Sequence, residues 1–463
     1  MVHPNVYSYI YTYLFIFQCT KQLIESIKLS IMDVPTAEKL ATLAFQQFKL
    51  LPKTGKPSAS EWTIFSSILL HSAAEEKTEV ISIGCGTKCI GKSKLCSHGF
   101  ILNDSHAEVL ARRALLRYIY YQLKQALVSD LCIFQWDSEN LVFRLRPSLS
   151  FHFVSTQTPC GDACIHQNTS VNSTTHHNHE NTDGPTATKR TKIENNISSE
   201  TAKSADNVGS ALDASADNAI YTGAKLIGLD DQQDAMLQKI GAVRTKPGRG
   251  DRTLSMSCSD KLARWNVLGA QGALLDSLLA EPIYFKSLNF CGNPHNEPAI
   301  RRAIYERFID RHFTSCKYKI QKPEIRFVPG ITFDYAEDND RRNPSPTGLS
   351  WCNIDEHLKP YEISVNGKRQ GVTKKRMNTP QAALKIAKYH LMNEFVELLR
   401  LEPKLAEKFQ INQNQLSEMK YNQFKQLAND YQSTWALAKQ IYFQQWTQKP
   451  PSLLAFCLTA EET

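Results

Sequence analysis

The sequence lacks the features that mark a secreted or membrane-spanning chain. The apolar, aromatic stretch at residues 6–19 is shorter than the roughly 20 residues that a transmembrane helix needs. It has no basic segment before it and no small-residue cleavage site after it, so we predict no signal peptide and no membrane contact. The twelve cysteines have no regular spacing, which predicts free thiols and metal ligands rather than disulfides. The chain is therefore expected in a reducing compartment, cytoplasmic or nuclear.

Aromatic residues are missing between His166 and Ala219, where Asn, Thr, Ser, Asp and Ala predominate. A tract of this composition buries too little apolar surface to fold, so residues 166–219 are predicted to be a disordered insertion. The histidines at positions 176, 177 and 179 lie inside this tract. Because the tract provides no preorganised geometry, we do not predict that they bind metal.

Neither sign of charge is in large excess, since 54 basic residues face 46 acidic ones and the net charge is +8. This modest basic bias is compatible with a nucleic-acid partner but does not demonstrate one. The 42% of hydrophobic residues is ordinary for a globular protein, and the length allows a large core. An amphipathic helix opens near Pro35. Residues 32–463 are thus predicted to form a single domain, with residues 1–31 as an extension outside the fold.

The first chemical motif is His106-x-Glu108, at a predicted helix start that Asp104 or Ser105 can cap. A capped helix start would by itself explain this pair. The later Pro159-Cys160 favours a second interpretation, because His-x-Glu followed by Pro-Cys is the signature of zinc nucleobase deaminases. In that signature the histidine and cysteine bind zinc, and the glutamate carries protons.

The third metal ligand does not follow the local pattern of the small zinc deaminases. Their second cysteine would lie at position 163, but this position is alanine and Cys164 comes one residue too late. Cys258 is a better candidate, because it lies at a probable helix start where the helix dipole lowers the pKa of a thiol. Cys85, Cys89 and Cys96 match no common zinc-finger spacing, so we predict no second zinc site.

Cations accompany these ligands on the two predicted helices. At about 100° per residue, Arg113 lies roughly 20° from His106 and Lys261 roughly 60° from Cys258 around the helix. Asp104 and Asp260 can neutralise only some of the nearby cations, which are Arg112, Arg113, Lys261 and Arg264. Because an uncompensated buried charge is costly, one solution is a buried polyanion. The alternative, that the helices are rotated and the cations exposed, remains open at this point.

The order of predicted elements indicates an α/β fold. A β-branched strand at residues 78–85 precedes the His106 helix, and a second strand at residues 150–155 leads to Pro159-Cys160. Later segments at residues 298–313, 380–399 and 419–440 have helical apolar spacing.

These motifs together resemble one family. Residues 103–113, Pro159-Cys160-Gly161-Asp162 and residues 247–272 are similar to the editase deaminase domain shared by adenosine deaminases acting on RNA and tRNA-specific adenosine deaminases of the first type. The resemblance runs from about Lys39 to Pro450. Residues 246–251 and 103–106 are most similar to the tRNA-specific branch.

The resemblance implies a fold and an activity. The fold would be a cytidine-deaminase-like three-layer α/β/α core with a mixed sheet, closed by a helical C-terminal half. The activity would be zinc-dependent hydrolytic deamination of adenosine to inosine in tRNA, at position 37 next to the anticodon of alanine tRNA. His106, Cys160 and Cys258 would hold zinc and Glu108 would shuttle protons. The partner would be the tRNA substrate, with no obligate protein partner.

The resemblance also implies that inositol hexakisphosphate is buried beneath the site. Its predicted contacts are Asp104, Arg112, Arg113, Lys261, Arg264, Trp265, Lys388, Tyr421, Lys425, Tyr431, Trp446 and Lys449. Two positions depart from the family pattern. Trp435 stands where a lysine is often found, and Gln448 stands where a glutamate would be.

Two alternatives remain compatible with the sequence. A double-stranded-RNA editing adenosine deaminase would share the catalytic residues but would be expected to carry separate RNA-binding modules, and no segment has that character. An inactive RNA-binding paralogue would tolerate loss of a ligand or of Glu108, whereas all four residues are present.

Overall fold

The computed structural model of the protein describes residues 34–165, 224–227, 240–248, 251–292, 294–309, 315 and 317–458. The predicted extension at residues 1–31 and the predicted insertion at residues 166–219 lie outside the described residues.

The described strands are β1 Glu61–Trp62, β2 Phe65–Ser72, β3 Lys77–Cys85, β4 Thr87–Cys89, β5 Asp104–His106, β6 Phe134–Asp137, β7 Val142–Leu145, β8 Leu149–Ser155, β9 Lys225–Leu226, β10 Arg244–Thr245, β11 Phe285–Phe290, β12 Glu324–Phe327, β13 Asn343–Pro344, β14 Thr347–Cys352, β15 Tyr361–Val365 and β16 Lys368–Arg369. The described α-helices are α1 Ala37–Leu50, α2 Ala107–Ala126, α3 Cys258–Leu268, α4 Gly272–Asp276, α5 Glu297–Arg301, α6 Arg307–Ile309, α7 Lys388–Leu401, α8 Pro403–Lys408, α9 Tyr421–Gln426 and α10 Asn429–Ile441.

One large mixed sheet organises the molecule. Its strand order is β12-β11-β8-β2-β3-β14-β15-β16, in which β12, β11 and β8 are parallel and the remaining neighbours are antiparallel. The predicted strands at residues 78–85 and 150–155 correspond to β3 and β8. The predicted mixed α/β class is therefore confirmed.

Helices cover both faces of the sheet. On one face, Phe45 and Phe48 of α1 pack edge to face on Phe65 of β2, with ring centroids 5.3 and 5.6 Å apart. On the other face, α2 packs on a core that contains Ile81 and Phe153. Alternate side chains of each strand thus enter different cores, as the two-residue repeat of a strand requires. In the described part of the chain, no helix is both long and apolar enough to span a membrane.

Gly84 determines how closely α2 crosses the sheet. A Cβ atom at this position would lie 2.3 Å from the backbone nitrogen of Ala111 and 2.4 Å from the carbonyl oxygen of Ala107. Glycine therefore lets the first turns of α2 rest on the backbone of β3. This contact holds the N-terminal end of α2, which carries His106 and Glu108, against the end of β3.

The structure departs from all three predicted helical segments, and residues 419–440 form two helices, α9 and α10, instead of one. Residues 297–309 contain a π-helical turn at Arg302–Glu306 between α5 and α6. The predicted helix at residues 380–399 begins instead at Lys388, because Pro380–Ala382 form a short 3₁₀ turn and the Glu362 carboxylate accepts the backbone N–H of Lys385 at 2.8 Å. That hydrogen bond takes a backbone group that a continuous helix would use itself.

Candidate active site and the cavity beneath it

The start of α2 places a histidine and a glutamate side by side. β5 pairs with β4, and the helix begins at the next residue, Ala107. His106 is the capping residue, with extended backbone and no capping hydrogen bond from its side chain. The prediction that Asp104 or Ser105 caps the helix is wrong. The Asp104 carboxylate instead accepts the His106 N–H at 3.0 Å and pairs with two lysines.

His106, Cys160 and Cys258 come together at this point. His106 Nδ1 lies 4.0 Å from Cys160 Sγ and 3.7 Å from Cys258 Sγ, and the three candidate ligand atoms all lie within 4.8 Å of one another. Among the described residues, no other histidine, cysteine, aspartate or glutamate groups meet in this way. One histidine and two thiols are a donor set that Zn²⁺ prefers, with a fourth position left for water.

Backbone hydrogen bonds connect the loop of Cys160 to the start of α3, where Cys258 lies. The Cys258 N–H donates to Cys160 Sγ at 3.3 Å, and the Ser259 N–H donates to the Cys160 carbonyl at 3.0 Å. Gly161, with a φ of 110°, allows this approach, because a Cβ atom there would lie 2.3 Å from the Ser257 hydroxyl. Two loops that are about a hundred residues apart in sequence are thereby fixed to one another.

Cys164 lies away from the cluster. Its thiol donates to the Pro159 carbonyl at 3.3 Å, and burial raises its pKa to about 12. A thiol with this pKa stays protonated near neutral pH, and only the thiolate is a good metal ligand.

Lys246 is a buried residue of the site that sequence analysis did not single out. Its ammonium group is fully buried and donates to Cys258 Sγ at 2.9 Å and to Asp104 Oδ1 at 3.0 Å. Burial alone would lower its pKa, but Asp104 and Cys258 outweigh burial and raise the pKa well above its ordinary value. In the sequence it belongs to a basic loop with no sign of burial. Lys246 is buried because of tertiary contacts. One of them is the hydrogen bond that its backbone N–H donates to the Ser255 carbonyl at 2.8 Å.

The two thiols titrate as a pair. The hydrogen bond with Cys258 lowers the pKa of Cys160 well below the ordinary range. Burial opposes this shift, and the positive charge of Lys246 adds to it. Burial and then Cys160 raise the pKa of Cys258. The negative charge of the pair therefore lies on Cys160, while Lys246 contacts the sulfur of Cys258, at a place where a metal cation would balance two thiolates.

Glu108 lies in the first turn of α2 and is 2% exposed. Its Oε2 atom has no hydrogen-bond partner among the described residues. A buried carboxylate oxygen without a partner is costly, so the arrangement fits a group that binds there, such as a water molecule beside a metal ion. This orphaned oxygen and the His, Cys, Cys donor set both fit a zinc centre.

A cavity of about 520 Å³ lies beneath the cluster. All twelve residues predicted to contact inositol hexakisphosphate line it. They come from α2, α3, α7, α9, α10 and the chain after α10, with Asp104 from β5. The cations of α2 and α3 thus face an internal cavity rather than the outer surface, which decides between the two orientations that periodicity left open.

The cavity wall has a large excess of positive charge. Among the described residues of the wall, the single carboxylate is Asp104, and the cations are Arg112, Arg113, Lys261, Arg264, Lys388, Lys425, Lys439 and Lys449. Burial, together with the neighbouring cations, lowers the pKa of Lys425 and Lys449 to about 8. The Nη2 atom of Arg113 has no partner among the described residues. These observations fit a bound polyanion, which would supply both the counter-charge and the missing acceptors.

Aromatic rings hold one of the arginines in place. The Arg264 guanidinium lies 3.9 Å from the ring centroid of Trp435 and donates to the Tyr431 hydroxyl at 3.2 Å. Trp435, which departs from the family pattern, therefore serves as a stacking surface. The next turn of α10 brings Lys439 to the cavity. Sequence analysis missed Lys439, although its spacing of four from Trp435 and eight from Tyr431 indicates the same helix face.

A line of ion pairs connects the cavity to the candidate metal centre. Lys261 lines the cavity and pairs with Asp104, Asp104 pairs with Lys246, and Lys246 donates to Cys258. Burial would raise the pKa of Asp104, but the two lysines hold it far below its usual range. The charge of Lys261 in the cavity is therefore coupled to Cys258 through the hydrogen-bonded side chains of Asp104 and Lys246.

The comparison with known families agrees with this arrangement. Residues 82–450 match the family model described as the adenosine-deaminase (editase) domain. The chain belongs to this family and is an enzyme of the adenosine deaminase class.

Individual relatives within this family are similar to the chain to different degrees. The chain is 48% identical over 423 residues to tRNA-specific adenosine deaminase 1 of Drosophila melanogaster, covering 91% of this chain and 97% of that protein. It is 31% identical over 504 residues to the Homo sapiens protein of the same name, covering 91% and 99%. The Double-stranded RNA-specific editase Adar of Drosophila melanogaster is 29% identical over 357 residues, covering 74% of this chain and 46% of that protein.

Proposed function

We propose that this enzyme converts adenosine to inosine in tRNA by zinc-dependent hydrolysis. The observation that carries the proposal is the convergence of His106, Cys160 and Cys258 beside the partnerless carboxylate oxygen of Glu108. All four residues of the predicted chemistry are present in one place, which argues against an inactive RNA-binding paralogue.

The alignment lengths favour tRNA over double-stranded RNA as the substrate. The tRNA-specific relatives are covered along 97–99% of their length, whereas the double-stranded-RNA relatives are covered along only 32–46%. The motifs at residues 103–106 and 246–251 are also most similar to the tRNA-specific branch. We propose adenosine 37 of alanine tRNA as the target. The base must leave any stack to reach the buried carboxylate, so a loop nucleotide is a suitable substrate.

The residues divide the chemistry between them. When bound, zinc supplies a water whose pKa is lowered from 15.7 towards about 7. His106, Cys160 and Cys258 would hold the metal, and the 2.9 Å hydrogen bond from Lys246 would stabilise the metal-bound thiolate of Cys258. Glu108 accepts one proton from water and delivers it to a ring nitrogen of the purine as the water oxygen bonds to C6 of adenine. It then transfers the remaining hydroxyl proton to the C6 amino group, which leaves as ammonia while the C6 carbonyl of inosine forms.

We further propose that inositol hexakisphosphate occupies the cavity. In the described part of the chain, eight cations and one carboxylate line this cavity, and that carboxylate already pairs with Lys246 and Lys261. A compact polyanion made of phosphates matches this wall, because arginine and lysine are the usual phosphate ligands.

The sheet with α1 on one face and α2 on the other supports the three-layer α/β/α architecture of cytidine-deaminase-like proteins. The helices after residue 388, which line the cavity, support a closing helical C-terminal half. The ten described cysteines are all free, which supports a reducing compartment, cytoplasmic or nuclear.

Inosine mapping tests the substrate. Total tRNA from cells lacking the gene should lose inosine at position 37 of alanine tRNA, and the wild-type gene should restore it. The Glu108→Gln gene should not. Persistence of the modification in the deletion strain, or its loss at a different tRNA position, would contradict the proposed target.

The role of Glu108 predicts a separable defect. Glu108→Gln keeps the shape of the side chain but removes its basicity, so it should lower turnover by at least ~10²–10⁴-fold, the range typical of positioned acid–base groups. Zinc content should stay at the wild-type level, because Glu108 is not among the clustered ligands. Turnover on a tRNA transcript and metal analysis of the same preparation check both parts. Near-normal turnover would refute the proton-shuttle role.

The position of Lys439 predicts that it contributes to anion binding. Lys439→Ala should lower the amount of inositol polyphosphate that copurifies and the thermal midpoint together, because one phosphate partner is lost. Lys404→Ala, an exposed lysine in α8, is the matched control and should change neither quantity. Equal anion content in the two variants would remove Lys439 from the binding site.

A further inference from the structure

The two cysteines of the candidate metal centre share a local pattern. Each is followed at the second position by an aspartate, Asp162 after Cys160 and Asp260 after Cys258. Both aspartates are completely buried. Neither one contacts the cavity or belongs to the clustered ligands, so they are not explained by the chemistry proposed above.

Each carboxylate ties its cysteine loop to the surrounding backbone. Asp162 Oδ1 accepts the Gly241 N–H at 2.6 Å. Asp260 Oδ2 accepts the Arg244 N–H at 2.8 Å and the Ser257 hydroxyl at 2.6 Å. The orientation of each cysteine loop therefore depends on where its aspartate is held.

Both aspartates are paired with arginines from a single helical segment. Arg302 Nε lies 3.1 Å from Asp162 Oδ2, and Arg307 Nη2 lies 2.8 Å from Asp260 Oδ1. Arg302 also donates to the carbonyl of Asp162 at 2.8 Å and to that of Ile165 at 2.7 Å. One helix thus contacts both loops through buried charged groups.

The π-helical turn makes this double contact possible. Five residues of a regular α-helix span about 500°, which would turn Arg302 and Arg307 about 140° away from each other. Here the Arg307 N–H bonds to the Arg302 carbonyl across the π turn. The extra residue in the turn brings the two arginines towards the same side. Such π turns are rare and frequently lie at functional sites.

We infer that Arg302 and Arg307 are positioning residues that set the separation of the Cys160 and Cys258 sulfur atoms for the metal. The inference rests on the proposed zinc site and assigns to it two residues that do not bind zinc. Buried ion pairs generally add little net stability over apolar groups. Their geometric effect is specific here, because each arginine holds a carboxylate two residues from a ligand.

Metal affinity measured by competition with a chelator tests the inference. Arg302→Gln and Arg307→Gln should each bind zinc ~10–100-fold more weakly, the loss typical of residues that orient metal ligands. The cobalt-substituted variants should also show altered visible absorption bands, which report the geometry of the sulfur ligands. The matched control is Arg301→Gln, because Arg301 lies on the same segment but is exposed and pairs with Glu297 and Glu306. It should match the wild type in both measurements.

A second variant separates positioning from general stability. Arg302→Gln leaves Asp162 buried and unpaired, so it could fail to fold for that reason alone. Combining it with Asp162→Asn removes both charges and keeps an acceptor for the Gly241 N–H. The double variant should fold with nearly wild-type thermal stability and still bind zinc more weakly. Wild-type zinc affinity in the folded double variant, or in Arg302→Gln, would overturn the inference. A wild-type enzyme that binds no zinc would overturn the proposed metal centre as well.

Discussion

Cys258→Ala is expected to abolish both zinc binding and deamination, whereas Cys164→Ala is expected to keep both. Cys258 Sγ lies 3.7 Å from His106 Nδ1 and receives a hydrogen bond from Lys246, so its loss leaves two candidate ligands and leaves Lys246 with Asp104 as its remaining ion-pair partner. Cys164 donates to a carbonyl outside the cluster. Metal analysis and turnover of the two purified variants measure the difference.

The two substitutions form a matched pair, because both remove a thiol from loops around the same site. The assignment of ligands would be wrong if Cys164→Ala were the variant without zinc. If both variants kept zinc, the metal would have to lie elsewhere. In either result the clustering of His106, Cys160 and Cys258 would need another explanation.

Replacing a cation of the cavity wall with a neutral residue is expected to destabilise the enzyme. If the cavity held no anion, the same substitution would stabilise it. Lys425 lies among like charges, and burial together with Arg264 and Lys449 lowers its pKa to about 8. Without an anion, Lys425→Ala would relieve repulsion and raise stability. With inositol hexakisphosphate bound, the same substitution leaves phosphate charge unpaired and should greatly reduce soluble yield.

The size of the effect follows from mass action. A ligand that binds only the folded state adds about 2.7 kcal/mol at a hundredfold excess over its dissociation constant. Loss of that contribution is a large fraction of the stability of a typical domain. Folding and activity should therefore be lost together in Lys425→Ala, while the exposed control Lys404→Ala should express normally.

Mass spectrometry of the purified and then denatured enzyme identifies the anion. Active enzyme should release inositol hexakisphosphate, and cells unable to make it should yield little soluble enzyme. Full yield from such cells, or a Lys425→Ala variant more stable than the wild type, would show that the cations do not surround this anion.

Short-range patterns predicted where the candidate site residues lie on the helices of this protein. His106 and Glu108 lie at the start of one helix, as predicted, and Cys258 opens another with Ser257 accepting the Asp260 N–H. These features depend on a few neighbouring residues, so they can be read from the chain. The helix cap at Asp104 was predicted wrongly, because a pattern shows that a carboxylate can cap but not that two lysines from distant segments compete for it.

The sequence by itself therefore determined the family, the α/β class and the candidate residues for metal binding and for the charge of the cavity. The tertiary structure alone decided which of those residues meet. Lys246 contacts the candidate metal ligand Cys258, Lys439 lines the cavity, and Arg302 and Arg307 pair with the two buried aspartates. The reason is physical: local propensity and periodicity act over a few residues, whereas the burial of a charge depends on groups that folding brings together from far apart in the chain.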